Sequence, residues 1–300
     1  MAFDLPELRS FRERTVEIER ARIFARIAGE GPPLLLLHGF PQTHVCWARI
    51  APQLAQRFTV VLADLTGYGD SRGPPVEEDG VNYSKRAVAQ DMVALMHALG
   101  HERFNLAGHD RGARVAYRLA LDHPHRVERL AALSILPTFA MWRRLADLDK
   151  AINAYHWFLL AQKPPIPHDL LAGAPGKQIR NTLASWTKAQ DLHDFTPSEI
   201  AAYERAYSRP EVIAAVCAEY RASWKVDREL DEADVARRHK IACPVLALWG
   251  TDEYTEAEMV AAWQQIALNV TARPLDCGHF VTEELPEATS AALTEFLATS

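Results

Sequence analysis

Short continuous apolar runs constrain the fold of this chain more than any other feature. They occur at PPLLLLHG (32–39), FTVVLADL (58–65), RFNLAG (103–108), RLAALSIL (129–136) and CPVLALWG (243–250). Each is too short for a typical helix and lacks the polar alternation of a half-buried strand. This pattern is typical of strands buried on both faces, as in parallel sheets.

Helical patterns separate these runs. After the second run, Ser84 can cap a helix with an apolar stripe at Val88, Met92, Leu95, Met96 and Leu99. Residues 15–28 fit a strand or hairpin at the start of the sheet, and VTARPL (270–275) fits a further strand. The alternation predicts an α/β fold with an open, mostly parallel sheet and helices on both faces.

The alternation stops between residues 138 and 238, where only helical and proline-rich patterns occur. We expect a helical cap here, inserted after the sixth strand, with the sheet core at 1–137 and 239–300. Ligands bind at the C-terminal edge of open α/β sheets, so the cap would cover the site. The charged stretch 227–240 is most simply a solvated helix that leads back to the core.

The segment Gly108-His109-Asp110-Arg111-Gly112 has the form Gly-x-Asp-x-Gly. It lies between a predicted strand and a predicted helix, which is the context of a nucleophile elbow. The flanking glycines permit a tight turn that projects the central side chain over the sheet edge. We therefore predict that Asp110 is a nucleophile; the alternative is a turn aspartate that caps the helix.

A carboxylate nucleophile suits displacement at an sp³ carbon, which gives an alkyl ester that water then hydrolyses. LDCGHFVTEELP (275–286) places His279 in a loop after the last strand, where it can serve as the general base. The loop His38-Gly39-Phe40-Pro41 follows the first buried strand, and the Phe40 N–H can stabilise an oxyanion together with that of Arg111. These residues favour carbon–halogen or epoxide cleavage over acyl transfer.

Charge and composition exclude several classes of partner. The formal net charge is −6 and no basic patch stands out, which argues against nucleic acid. No apolar run reaches the roughly 18 residues of a membrane span, and the N-terminus lacks the apolar stretch of a secretory signal. Cys46, Cys217, Cys243 and Cys277 show no metal-ligand spacing, so we expect reduced thiols in a cytoplasmic protein. We expect no metal or organic cofactor, because every chemical role has a side-chain candidate.

The motifs HGFPQTHVCW, DLTGYGDS, GHDRG and CGHF resemble those of α/β-hydrolases in order and spacing. GHDRGARVAYRLALDHP, YHWFLLAQ, LASWTKAQDL and EYRAS are similar to the haloacetate, or fluoroacetate, dehalogenases of that superfamily. The resemblance covers nearly the whole chain. It implies an aspartyl-ester mechanism acting on a small haloacid, and a homodimer.

The resemblance also implies roles for arginine and aromatic side chains. Arg111 and Arg114 would hold the substrate carboxylate, and their spacing of one helical turn allows both to face one pocket. His156, Trp157 and Tyr220 would donate to the departing halide, and Trp186 would line the pocket. Core packing is the ordinary alternative for the aromatic residues.

One position departs from the family pattern. The acid that orients the histidine is expected at the end of RLAALSIL, where this chain has Ser134. Serine cannot balance an imidazolium charge. Asp252 and Glu253 follow CPVLALWG, the place of the acid in many epoxide hydrolases, and one of them would replace it, with Glu253 slightly favoured.

Two other functions stay open at this point. An epoxide hydrolase uses the same nucleophile and base but normally needs two cap tyrosines, for which Tyr220 and, less convincingly, Tyr155 are available. A binding or sensor protein that has lost its acid at Ser134 is the third alternative. The pair of arginines beside Asp110 suits a charged haloacid better than a neutral epoxide.

Overall fold

The computed structural model describes residues 5–298, and the strands in this range form one mostly parallel sheet. Residues 1–4 and 299–300, the outer ends of the predicted core ranges, lie outside the described residues. The order across the sheet is β1-β2-β4-β3-β5-β6-β7-β8, antiparallel for β1–β2 and β2–β4 and parallel elsewhere. The strands are β1 Arg12–Ile18, β2 Ala21–Ala28, β3 Pro33–Leu37, β4 Thr59–Ala63, β5 Phe104–His109, β6 Val127–Leu133, β7 Val245–Gly250 and β8 Val270–Leu275.

The predicted α/β alternation, including the N-terminal hairpin, is confirmed. Ser84 caps α2 as predicted, since its side chain accepts a hydrogen bond from the N–H of Ala87. None of the helices in the described range is long and apolar enough to cross a membrane. The helices are α1 Ala51–Leu54, α2 Lys85–Ala98, α3 Arg111–Asp122, α4 Thr138–Arg144, α5 Leu148–Asn153, α6 Tyr155–Leu160, α7 Ile166–Gly173, α8 Pro175–Trp186, α9 Pro197–Tyr207, α10 Pro210–Ala222, α11 Arg228–Arg237, α12 Glu256–Ile266, α13 Val281–Glu284 and α14 Pro286–Leu297.

The register of the parallel strands brings several loops to one edge of the sheet. Leu37 in β3 lies opposite Gly108 in β5, and His109 in β5 lies opposite Leu133 in β6. The loops that follow β3, β5 and β6 therefore begin level with one another. Leucines 34–37 are fully buried, as the sequence pattern predicts for a strand covered on both faces.

Helices α4–α11 occupy the chain between β6 and β7, and a π-helical turn at Ser223–Asp227 joins α10 to α11. The expectation that 227–240 is a solvated helix is wrong for two of its aspartates. Asp231 and Asp234 are buried and pair with Arg118 at 2.8 and 2.7 Å. Burying a carboxylate is unfavourable unless a cation compensates it, and α3 supplies that cation.

Candidate active site

The elbow at Asp110 joins β5 to α3 in a rarely populated backbone conformation. Asp110 has φ 47° and ψ −116°, which costs roughly 1–3 kcal/mol for a residue other than glycine. Its N–H donates to the carbonyl oxygen of Leu133 at 3.1 Å. A Cβ at Gly112 would lie 2.3 Å from the carbonyl oxygen of His38, so the elbow packs closely on the loop after β3. The neighbouring strands thus hold the strained turn in place.

The Asp110 carboxylate is buried and its two oxygens have different surroundings. Oδ1 accepts a hydrogen bond from the Phe40 N–H at 2.8 Å, while Oδ2 lies 4.0 Å from Nε2 of His279. Burial opposes ionisation, but His279 and Arg111 outweigh it and lower the pKa of Asp110 to about 2. Asp110 is therefore a carboxylate at neutral pH.

His279 bonds at one ring nitrogen to an acid and turns the other towards Asp110. Nδ1 lies 2.7 Å from Oε1 of Glu253, so in the neutral ring Nδ1 carries the proton. Nε2 is buried without a hydrogen-bond partner among the described residues. Burial opposes protonation, but the Glu253 carboxylate outweighs it and raises the pKa of His279 to about 8. Nε2 is thus the basic atom of the site.

The loop that carries His279 is fixed from three sides. The Glu284 carboxylate accepts hydrogen bonds from the backbone N–H groups on either side of His279, at 2.8 and 3.0 Å. The N–H of His279 donates to the carbonyl of Trp186 in the helical insertion at 2.9 Å. Its own carbonyl accepts from Nε2 of His109 at 2.9 Å. These bonds set the position of the imidazole before any substrate arrives.

The structure separates the two candidate acids. Glu253 bonds to His279, whereas the Asp252 side chain is 46% exposed and its nearest cation, Lys188, is 3.9 Å away. Asp252 therefore lies at the surface, and the prediction that it could orient His279 is wrong. Ser134 is fully buried at φ 55°, and its hydroxyl has no hydrogen-bond partner among the described residues. Ser134 therefore makes no hydrogen bond to His279, and Glu253, in the loop after β7, makes that bond instead.

Arg111 already pairs with a carboxylate of the protein, which limits how it can hold a substrate. Its Nε and Nη2 donate to the Glu219 carboxylate at 2.7 and 2.6 Å, and Lys85 also pairs with Glu219. The Tyr220 ring centre lies 4.0 Å from the guanidinium carbon. A buried cation needs a counter-charge, and α10 supplies it. The two-pronged edge of Arg111 is therefore occupied, and only Nη1 is left without a partner among the described residues.

Arg114 differs from Arg111, because no ion pair joins it to a carboxylate of the described residues. Nη1 donates to the carbonyl of Leu136 at 2.9 Å and to the hydroxyl of Thr138 at 3.3 Å. Nε is buried without a partner in the same range. Burial and the charge of Arg111 lower the pKa of Arg114. A buried guanidinium in this state favours an incoming anion.

The structure brings the aromatic residues predicted from the sequence together above the elbow. The Tyr220 ring centre lies 6.0 Å from that of His156 and 5.8 Å from that of Trp157. Trp186 packs edge-on against His279 at 5.2 Å and lies 4.6 Å from His156. Burial lowers the pKa of His156 to about 3, so its ring is neutral. Tyr155, in contrast, is 62% exposed and does not form a second pocket tyrosine.

Sequence reasoning missed Tyr207, Glu219 and Lys85. Tyr207 is buried, its ring centre lies 5.6 Å from that of Phe40, and its hydroxyl has no hydrogen-bond partner among the described residues. Burial raises its pKa, and Tyr220 and Asp110 lie close enough to raise it further. The sequence gives no local signal for these residues, because their roles depend on contacts between the helical insertion and the core.

Comparisons with known proteins agree with this geometry. A model of the α/β-hydrolase fold family matches residues 32–286. A fluoroacetate dehalogenase from Burkholderia sp is 40% identical over 96% of this chain and 94% of its own length. A soluble epoxide hydrolase from Corynebacterium sp. (strain C12) is 32% identical over 90% of this chain and 92% of its own length.

A solved α/β-hydrolase structure from Nostoc sp PCC 7120 superposes with a TM-score of 0.92 at 48% identity. The match covers 97% of this chain and 99% of that one. The fold, the matching family model and the chain order of Asp110, Glu253 and His279 thus all indicate an α/β-hydrolase. The chain therefore belongs to the α/β-hydrolase family and resembles its haloacetate dehalogenases over nearly its whole length.

Proposed function

We propose that this protein hydrolyses the carbon–halogen bond of short 2-haloacids such as fluoroacetate and chloroacetate, giving glycolate and halide. Two features of the site carry the proposal together. Asp110 is an ionised nucleophile, and the buried Arg114 near it lacks a carboxylate partner among the described residues. A haloacetate supplies both the electrophilic carbon and the missing carboxylate. The similarity to a fluoroacetate dehalogenase supports the same substrate class.

In the first step, Asp110 displaces the halide from the substrate carbon. Oδ1 is held by the Phe40 N–H, so we assign the attack to Oδ2. The new C–O bond forms as the carbon–halogen bond breaks, and the electron pair leaves with the halide. Arg114, with Nη1 of Arg111, holds the substrate carboxylate, because charge-assisted hydrogen bonds suit planar carboxylates.

The halide leaves towards the aromatic side chains above the elbow. His156, Trp157 and Tyr220 each carry an N–H or O–H group, and their ring centres lie within 6.5 Å of one another. Fluoride accepts hydrogen bonds strongly and leaves poorly, so donors in a pocket shielded from water lower the barrier most for this halogen. This assignment makes the three residues the halide-binding group.

In the second step, Nε2 of His279 takes a proton from water, and the hydroxide attacks the ester carbonyl carbon of Asp110. The oxyanion forms on Oδ1, where the Phe40 N–H already donates. Collapse breaks the bond between Cγ and Oδ2. Glycolate leaves with that oxygen and takes the proton from His279, and the carboxylic acid left on Asp110 ionises to the carboxylate. Glu253 stabilises the positive charge on His279, which is the role of the acid in the serine-hydrolase template.

Epoxide hydrolysis is the second candidate, and Tyr207 is the observation that favours it. Tyr207 and Tyr220 both pack edge-on against Phe40, with ring centres 5.6 and 5.9 Å away, and the Tyr207 hydroxyl has no hydrogen-bond partner among the described residues. These two tyrosines are the candidates to protonate an epoxide oxygen. The similarity to an epoxide hydrolase agrees with this alternative. Arg114 argues against it, because a neutral epoxide leaves the buried guanidinium without an anion.

A substrate comparison tests the assignment. Halide release from fluoroacetate and chloroacetate is measured beside diol formation from a neutral epoxide, with Asp110→Asn as the inactive control. The proposal predicts halide release that depends on Asp110 and little diol. Diol formation without halide release would make the protein an epoxide hydrolase, and binding without turnover of either substrate would indicate a sensor.

We also propose that a second copy of the chain covers an exposed apolar face on α5–α7. Leu148 and Ile152 lie one turn apart on α5 and are 80% and 71% exposed, and Ile166 on α7 is 56% exposed. Contiguous exposed apolar surface is typical of protein–protein contacts. Analytical ultracentrifugation should show a dimer for the parent chain and a shift towards monomer for Ile152→Glu. Leu268, between α12 and β8, is exposed and outside the helical insertion, so Leu268→Glu provides the control and should stay dimeric.

A further inference from the structure

Arg221 is a buried cation outside the site described above. It follows Tyr220 on α10 and is only 6% exposed. Nη1 donates to the carbonyl of Gln162 at 3.3 Å. Nε and Nη2 are buried, and neither has a hydrogen-bond partner among residues 5–298. No carboxylate in that range forms an ion pair with it. Burial lowers the pKa of Arg221, and the charge of Asp79 offsets this only in part, so the guanidinium is stabilised less than its burial requires.

The unpartnered edge of Arg221 is the one that binds carboxylates elsewhere in this protein. Arg111 uses Nε and Nη2 to hold Glu219 at 2.7 and 2.6 Å. Arg20 uses the same two atoms to hold Asp91 at 2.8 and 2.9 Å. Two parallel N–H groups on this edge match the two oxygens of a carboxylate. At Arg221 the same fork is present without its anion.

Arg221 lines a cavity of about 520 Å³ between the helical insertion and the loop before α2. This volume is in the range of small-molecule sites. Lys163 and Lys225 add two cations to its lining, and Ala161 and the half-exposed Trp224 add apolar surface. The cavity thus combines a carboxylate fork with a surface that can cover an apolar body.

Two acids also line the cavity and must be weighed against these cations. Glu78 pairs with Lys163 at 3.4 Å, but both side chains are more than 80% exposed, so solvent screens the pair. Asp79 accepts a hydrogen bond from the N–H of Val81. Three cations therefore face two carboxylates, and the buried charge is the cationic one.

We propose that this cavity is a second ligand site and that it binds an organic carboxylate with an apolar or aromatic body. The Nε and Nη2 edge of Arg221 holds the carboxylate, and Trp224 and Ala161 contact the apolar part. The site uses none of the residues assigned to ester formation or hydrolysis. It therefore stands independently of the reaction proposed above.

The test uses benzoate as the probe and benzamide as its neutral counterpart. NMR of the arginine Nε–H groups in the full chain identifies the Arg221 signal by its loss in Arg221→Gln. Benzoate should shift that signal in the parent protein with saturation, while benzamide should not. This readout reports on Arg221 itself, so benzoate held at Arg114 does not confuse the result.

Calorimetry of the variants gives the second measurement. Arg221→Gln should weaken benzoate binding at this site by about tenfold or more, since a charge-assisted fork is lost. Arg57→Gln removes the same charge from an exposed position and should bind benzoate like the parent. An unmoved Arg221 signal at millimolar benzoate, or equal binding by Arg221→Gln and the parent, would overturn the proposal.

Discussion

Replacing Glu253 with glutamine tests the role of the acid beside His279. The sequence alone left two candidates for this acid, Asp252 and Glu253. The amide keeps the shape of the side chain but removes the charge 2.7 Å from Nδ1 of His279. A charge-assisted hydrogen bond is worth roughly 1.5–3 kcal/mol, which corresponds to about 10- to 150-fold in rate. Loss of the orienting acid in the serine-protease template costs about 10⁴-fold in kcat. We therefore expect ester hydrolysis to slow by about 10²-fold, with 10⁴-fold as the upper limit.

Ester formation should change much less, because His279 carries no new charge in that step. Rapid-quench assays with chloroacetate should show a burst of chloride followed by slow turnover, and mass spectrometry should show Asp110 carrying a carboxymethyl group. Asp252→Asn is the matched control and should behave like the parent, since its side chain lies away from His279. Normal turnover by Glu253→Gln, together with faster turnover by Ser134→Asp, would refute the reasoning.

Three further predictions follow from the site and its surroundings. Arg114→Met should reduce kcat/KM for chloroacetate at least tenfold more than for chloroacetamide, because only the acid needs the guanidinium; equal losses would indicate a structural role. Ester hydrolysis should rise with pH through a pKa below the value of about 8 that His279 has in the free protein, since the ester removes the Asp110 charge that raises it; a single-turnover pH profile with a pKa above 8 would contradict this. Burial raises the pKa of Glu283 from 4.5 to about 8, so its contribution favours folding below pH 4.5 and is lost as pH rises to about 8. The free energy of unfolding, measured with urea, should therefore fall less between pH 5 and pH 8 for Glu283→Gln than for the parent protein. An identical pH dependence in the two proteins would contradict the assignment.

Features with a local cause could be predicted from the sequence. The strands follow from unbroken apolar runs, and the elbow follows from two glycines around Asp110 between a strand and a helix. His279 follows from its loop after the last strand. The position of each depends on residues next to it in the chain, which is why the pattern alone places them.

Features that depend on contacts across the fold could not be predicted in the same way. The pairing of Arg111 with Glu219 joins residues 108 positions apart, and the position of Tyr207 depends on how the helical insertion packs on Phe40. The choice of Glu253 over Asp252 depends on the direction of two adjacent side chains in one loop. Sequence spacing carries no information about that direction.

A single turnover in ¹⁸O-labelled water tests the central claim, covalent catalysis by Asp110, most directly. With enzyme in excess over chloroacetate, the new oxygen of glycolate comes from the Asp110 carboxylate, and the label enters that carboxylate during ester hydrolysis. We expect unlabelled glycolate from the first turnover and labelled Asp110 in the recovered protein. Labelled glycolate in the first turnover, with unlabelled Asp110, would mean direct attack by water and would contradict it.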